Sequence, residues 1–105
     1  MVDDPELASR VRDALRDVPD VTERRMFGSL AFFVGGTLRI GVGTHHGRVA
    51  MVRTGAAQEA ALARPGVAPA VMRGRPMTGW VFLEREAIES DEQIRFWIRT
   101  GLDAV

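Results

Sequence analysis

The sequence predicts a single α+β domain of two layers, in which a mainly antiparallel sheet carries its helices on one face. Three observations support this prediction. With 105 residues the chain has room for one hydrophobic core. Apolar residues recur at helical spacing near both ends, whereas short segments rich in β-branched and aromatic residues fill the middle. Because most of these strand segments follow one another across short turns, they are expected to pair antiparallel, with the helices packed against them.

The first predicted helix begins at the N-terminal end of the chain. Asp4 is in the position of an N-cap, and Pro5 has the fixed φ that suits the first helical position. Pro19 is expected to end this helix. Its apolar face is predicted to consist of Leu7, Val11, Ala14, Leu15 and Val18.

Four strands are predicted next, over residues 22–27, 30–34, 37–42 and 48–53. Gly35 and Gly36 predict a two-residue hairpin turn, because glycine accepts positive φ at both turn positions. In the third strand, simple alternation places Leu38, Ile40 and Val42 on one face. It places Arg39, Gly41 and Gly43 on the other, which predicts one buried sheet face and one sparse face.

The remaining elements complete the order α-β-β-β-β-α-β-β-α. A short helix is predicted over residues 54–63, and an edge strand over residues 67–72, where Pro69 weakens the strand signal. A further strand is predicted over residues 79–83. Ser90, with Gln93 three residues later, forms a capping-box pattern at the start of the last helix.

The composition excludes several classes of site. The chain has no cysteine, so it has no disulfide, thiolate ligand or thiol nucleophile. All fourteen basic residues are arginine, which excludes a P-loop lysine and a Schiff-base lysine. The acidic start of the chain and the lack of a long apolar run predict a cytoplasmic protein that does not enter a membrane.

The formal charge is zero, but it is unevenly distributed along the chain. Residues 1–20 and 81–105 each carry six acids and three arginines, whereas residues 21–80 carry eight arginines and two glutamates. The favoured interpretation is that acidic terminal helices lie near a basic sheet and neutralise it. The alternative is a basic face that is open to an anionic partner such as nucleic acid.

No residue is predicted to be catalytic, to bind a cofactor or to bind a metal. His45 and His46 are adjacent, so on a strand they would point to opposite faces, and no cysteine or third histidine accompanies them. A solvated turn leading to Gly47 is the favoured interpretation. Ser29 lacks the surroundings of a nucleophile motif.

Two stretches are candidates for an interaction surface, because each combines arginine with large apolar side chains. The first is Arg24, Arg25, Met26 and Phe27, and the second includes Arg73, Arg75, Met77 and Trp80. The glycines and proline in the second stretch predict a compact turn over residues 73–80, with Arg75 and Met77 as partner contacts and Trp80 as a buried anchor. The alternative is that the methionines and aromatic residues belong to the core and the arginines cover its rim.

These stretches also carry a family resemblance. Arg25-Met26-Phe27-Gly28, residues 30–34 with their glycine turn, residues 59–66, and the run from Gly74 to Val81 resemble the TfoX N-terminal domain family, with similarity from about residue 7 to residue 102. The resemblance implies a fold of the secretion-chaperone-like type. It implies regulation of natural competence in bacteria through the cyclic-AMP receptor protein, and it supplies no catalytic residue. The named regulators carry a second, C-terminal domain, whereas one stand-alone domain over residues 1–105 is expected here.

Together these observations predict a non-catalytic regulatory or adaptor domain that binds a protein partner. Two alternatives stay open: weak or indirect nucleic-acid binding through the basic central segment, and a small-ligand protein or enzyme with a pocket near Trp80. Because a small antiparallel sheet leaves edges, modest self-association as a homodimer is also predicted.

Overall fold

A computed structural model describes residues 4–26, 29–45 and 47–104, without the side chain of His45. It confirms the α+β class and the predicted order of elements. The helices are α1 (Pro5–Ala14), α2 (Gln58–Leu62) and α3 (Asp91–Asp103). The strands are β1 (Val21–Met26), β2 (Ser29–Val34), β3 (Thr37–His45), β4 (Arg48–Arg53), β5 (Val67–Met72) and β6 (Arg75–Glu84).

The strands form one sheet in the order β1-β2-β3-β4-β6-β5, and every neighbouring pair is antiparallel. The last strand, β6, lies between β4 and β5, so β1 and β5 are the two edges. Pro69 is on the edge strand β5, where its missing N–H costs little, and the edge-strand prediction is confirmed. Self-association through these edges stays a prediction.

The helix caps follow the sequence signals. The backbone N–H of Leu7 donates to Oδ1 of Asp4 at 3.1 Å, and Ser90 and Gln93 form the complete capping box at the start of α3. The predicted end of the first helix at Pro19 is wrong, because α1 ends at Ala14. Leu15 is nevertheless buried, so hydrophobic packing continues beyond the last helical residue.

The main core lies between the sheet and the pair of helices α1 and α3. Leu7 and Val11 of α1 and Trp97 of α3 pack in one cluster with Phe32 and Val52 of the sheet. The Trp97 side chain is fully buried, and its indole N–H donates to the carbonyl oxygen of Ala87 at 2.8 Å. Both long helices therefore cover the same face of the sheet, and the opposite face is left without a helix layer.

A β-bulge in β3 changes the facing of two side chains. Phe32 pairs with Ile40 but Phe33 pairs with Leu38, so Arg39 is an extra residue between the two pairs. The prediction that Leu38 faces the same way as Ile40 is therefore wrong, because the bulge interrupts the alternation. Arg39 turns toward α3 instead, where its Nη1 donates to the carbonyl oxygens of Gly101 (3.2 Å) and Ala104 (3.3 Å).

The segment before Trp80 also differs from the prediction. Residues 73–80 do not form a compact turn, because β6 already begins at Arg75 and pairs with β5. The turn consists of Arg73 and Gly74, which have φ values of 54° and 76°. Gly35 and Gly36 have positive φ as predicted. In the region predicted as one helix over residues 54–63, a 3-10 turn at Gly55–Ala57 precedes the short α2.

Candidate interaction groove

The sheet face opposite α1 and α3 contains an apolar groove of about 230 Å³, called here the methionine groove. Met26 of β1, Met51 of β4, Met72 of β5 and Met77 of β6 all line it. These are four of the five methionines in the sequence. Because methionine is unbranched and polarizable, a surface built from it adapts to apolar partners of different shapes.

Small residues on the central strands make the floor of the groove. Ala31 of β2 and Gly41 and Gly43 of β3 line it, so no large side chain fills its centre. A Cβ atom at Gly41 would have only Met51 Cε within 4 Å, at 3.9 Å, which means that the space above Gly41 is open. Gly43 has a different reason for being glycine, because its Cβ would lie 2.9 Å from Ser29 Oγ on the neighbouring strand.

Three arginines on the same side of the sheet lie over aromatic rings. The guanidinium carbon of Arg24 is 5.8 Å from the centroid of Phe33, and that of Arg48 is 5.5 Å from the centroid of Phe82. Arg48 and Phe82 both line the methionine groove.

The third pair is Arg53 over Trp80, at 4.7 Å, and Arg53 Nε also donates to the carbonyl oxygen of Leu38 at 2.9 Å. A guanidinium that stacks on a ring keeps N–H groups at its edge, which suit carboxylate or phosphate oxygens.

The ion pairs of the described residues lie elsewhere. They join arginines from the acidic terminal segments to carboxylates: Arg10 to Asp91 at 2.8 Å, Arg12 to Glu23 at 2.6 Å and Arg85 to Asp4 at 2.9 Å. The hydrogen bonds from Arg12 and Arg10 lower the pKa values of Glu23 and Asp91, respectively. Both carboxylates are therefore charged at neutral pH.

The arginines of the basic central segment are placed differently. Within the part of the chain that the structure describes, no carboxylate pairs with Arg24, Arg48, Arg53, Arg73 or Arg75. The favoured interpretation, in which terminal-helix acids neutralise the basic sheet, is therefore wrong for these five. The helices cover the opposite face, and the two carboxylates at their N-terminal ends that form ion pairs do so with other arginines. On the groove side of the sheet these arginines form no ion pair with a described carboxylate, and Glu84 lies opposite Arg48 in the pairing of β4 with β6.

The two candidate stretches of the sequence meet at this groove in part. Met26 of the first and Met77 of the second both line it, although three strands separate β1 from β6. Arg24 and Arg25 are exposed on β1, and Phe27 lies outside the described residues. In the second stretch, Arg73 is in the hairpin turn and Arg75 pairs with the groove residue Met72 across the hairpin.

Trp80 is only 8% exposed, but it is not part of the main core cluster and does not line the groove. Its carbonyl oxygen accepts a hydrogen bond from Gln58 Nε2 at 3.2 Å, and Arg53 covers its ring. The groove is therefore not lined by Trp80, where a pocket was predicted. The cavity lies at Met51 and Phe82, the partners of each other in the pairing of β4 with β6.

Sequence reasoning missed Met51, Met72, Arg48 and Phe82 as groove residues. The sequence signal that could have indicated them is methionine in predicted strands, because leucine or valine would pack in a rigid core equally well. That signal does not say which face a residue occupies. Facing depends here on bulges, since the pairing of β3 with β4 and of β4 with β6 is also irregular.

Residues 4–26, 29–45 and 47–104 contain no candidate metal site and no candidate membrane-spanning helix. In these ranges no three His, Cys, Asp or Glu residues are grouped to hold a metal ion. His45 lies at the end of β3 and pairs with Arg48, and His46 is outside the described residues. No helix in the described ranges is long and apolar enough to cross a membrane.

Comparison with known proteins gives one match. The family model described as the TfoX N-terminal domain matches residues 13–105, which is nearly the whole chain and includes every strand of the sheet. No curated protein and no solved structure matches the chain significantly.

Proposed function

The chain belongs to the TfoX N-terminal domain family, and we propose that it is a non-catalytic regulatory domain that binds a protein partner through the methionine groove. The observation that carries this proposal is the convergence of four methionines on the helix-free face of the sheet. An uncovered apolar concavity on a folded domain is a candidate recognition surface. Control of transcription or of competence is the process that the family suggests.

A protein partner fits the groove better than a nucleic acid. Nucleic-acid binding through a sheet uses exposed aromatic rings as stacking platforms, together with a strongly basic surface. Here Arg24, Arg48 and Arg53 lie over the aromatic rings of the groove side, and the groove itself is lined by thioethers. The chain also has no net positive charge. Nucleic-acid binding stays the second candidate because five arginines on or beside this face have no carboxylate partner in the described structure.

A small-molecule site is less well supported. The groove volume of about 230 Å³ is below the roughly 300–1,000 Å³ typical of small-molecule sites. Its lining offers few polar groups that could orient a substrate, whereas a groove of this size suits one or two side chains of a larger partner. The proposal therefore assigns the groove to side-chain anchors of a protein.

The experiment is a capture from the native host with the wild-type domain and two variants. Gly41→Leu puts a side chain into the open space above the groove floor. Ala60→Leu adds a leucine at an exposed position of α2, away from the groove, and is the matched control. Each extract is used with and without nuclease treatment before capture, so that a contact through nucleic acid is identified by its loss after treatment.

We expect quantitative mass spectrometry to show a protein that is retained by wild type and by Ala60→Leu but lost with Gly41→Leu. If the captured proteins are the same for all three baits, the groove is not the binding surface. If capture depends on intact nucleic acid, the second candidate replaces the first.

A further inference from the structure

We propose that the occupant of the methionine groove is an amphipathic α-helix that carries acidic residues along both sides of its apolar stripe. This inference rests on the proposed function and adds the chemistry of the partner. The groove supplies the apolar contact, and the unpaired arginines around it supply the charge complement.

On the covered face, α1 is tied to the edge strand β1 by an ion pair. Arg12 of the helix donates to both carboxylate oxygens of Glu23, at 2.6 and 2.8 Å. The helix thus supplies the cation and the sheet supplies the anion. Adjacent strand residues point to opposite faces, so Arg24 projects from β1 on the groove side, where it lies over Phe33. There the sheet supplies the cation, and a docked helix must supply the carboxylate.

The same charge complement continues along the groove. Arg48 lines it next to Phe82, and Arg75 pairs across the β5–β6 hairpin with the groove residue Met72. Cations are therefore present on β1, β4 and β6. Apolar residues at positions i and i+3 or i+4 of a helix would enter the groove among the methionines, and carboxylates beside that stripe would reach the arginines.

A second copy of this chain does not meet these requirements with its helices. The apolar stripes of α1 and α3 are already buried in the core, where Val11 and Trp97 are fully covered. Phe96 of α3 is a large apolar side chain that remains exposed on these helices, and Arg64 lies 3.8 Å above its ring. Two groove faces cannot pack on each other either, because both carry unpaired arginines. The occupant is consequently a different protein.

The first experiment selects binders without assuming their sequence. A displayed library of random 16-residue peptides is selected on the wild-type domain, with counter-selection on Gly41→Leu. We expect enriched peptides with apolar residues at helical spacing and Asp or Glu on both flanks. Enrichment of basic peptides, of peptides with period-2 alternation, or of none at all would overturn the proposal.

The second experiment tests the charge contacts by measuring the affinity of the most enriched peptide, synthesised with a fluorescent label, for the domain by fluorescence anisotropy. Arg24→Glu should weaken binding by about tenfold or more, and raising the salt concentration should slow association. A peptide with lysine in place of its flanking acids should bind Arg24→Glu better than wild type. Arg99→Ala, on the exposed side of α3, is the control and should leave the affinity unchanged.

If the lysine peptide binds wild type as well as the acidic peptide does, the charge assignment fails. A single-stranded oligothymidylate of 16 nucleotides is the competing ligand. If it displaces the acidic peptide at a lower concentration than unlabelled peptide does, nucleic acid is the better occupant, and the proposal is overturned. A separate result would reject the proposed function: if Gly41→Leu still captures the same host proteins as wild type, the groove is not the binding surface. If a captured partner depends on the groove but binds through a basic or extended segment, only the proposal of an acidic helix is rejected.

Discussion

Gly41→Leu should make the domain more stable while it abolishes partner binding. A glycine in a strand interior costs roughly 0.5–1 kcal/mol relative to alanine, because it loses more backbone entropy on folding. The added Cβ meets only Met51 Cε, at 3.9 Å, which is ordinary van der Waals contact. Fully burying a leucine side chain contributes about 1.5–3 kcal/mol, and since the groove is open on one side, we take about half of the lower value.

The sum is a gain of about 1–2 kcal/mol in the free energy of unfolding, and each kcal/mol raises Tm by roughly 4–8 °C in a domain of this size. The assay is urea unfolding followed by tryptophan fluorescence, with the slope m compared between variants so that a change in midpoint reports stability. Gly41→Ala should show the backbone part of the gain alone. A loss of more than about 1 kcal/mol for Gly41→Leu would mean that the groove is overpacked by the leucine, and it would refute the view that this space is open.

Three further predictions test the fold around the groove. Gly43→Ala should lose about 1–3 kcal/mol in urea unfolding, because its Cβ would lie 2.9 Å from Ser29 Oγ and 3.1 Å from Ser29 Cα, and a stability equal to wild type would contradict this close approach. Arg39→Ala should lose about 2 kcal/mol, since it removes two charge-assisted hydrogen bonds to the end of α3, whereas Arg99→Ala in the same assay should change little. The hydrogen bond with Arg12 lowers the pKa of Glu23 in the folded state. The ionised carboxylate therefore contributes to stability at pH values above its unfolded-state pKa of about 4.3, and this contribution is lost as the pH falls through the folded-state pKa. The free energy of unfolding of wild type should therefore fall more steeply below about pH 4.3 than that of Glu23→Gln, and equal slopes would exclude this pair as a source of acid sensitivity.

Local signals in the sequence were sufficient for most of the fold. Asp4, Ser90 and Gln93 cap their helices by contacts within four residues, and Gly35 and Gly36 form their turn from their own backbone freedom. Such interactions depend on neighbours along the chain, so a sequence pattern can identify them. The edge position of β5 was also predictable, because a proline is tolerated at an edge and not in the centre of a sheet.

The tertiary structure alone decided the facing of the side chains and hence the groove. The extra residue Arg39 in β3 places Leu38 on the groove side. The Arg39 side chain itself binds Gly101 at the end of α3, 62 residues further along the chain. Alternation within a strand cannot reveal a bulge, because a bulge is defined by the register with the partner strand. For the same reason the sequence identified Met26 and Met77 as candidates but could not place them in one cavity with Met51 and Met72. Their convergence depends on the pairing of strands that are distant in sequence, and that pairing is set by long-range packing.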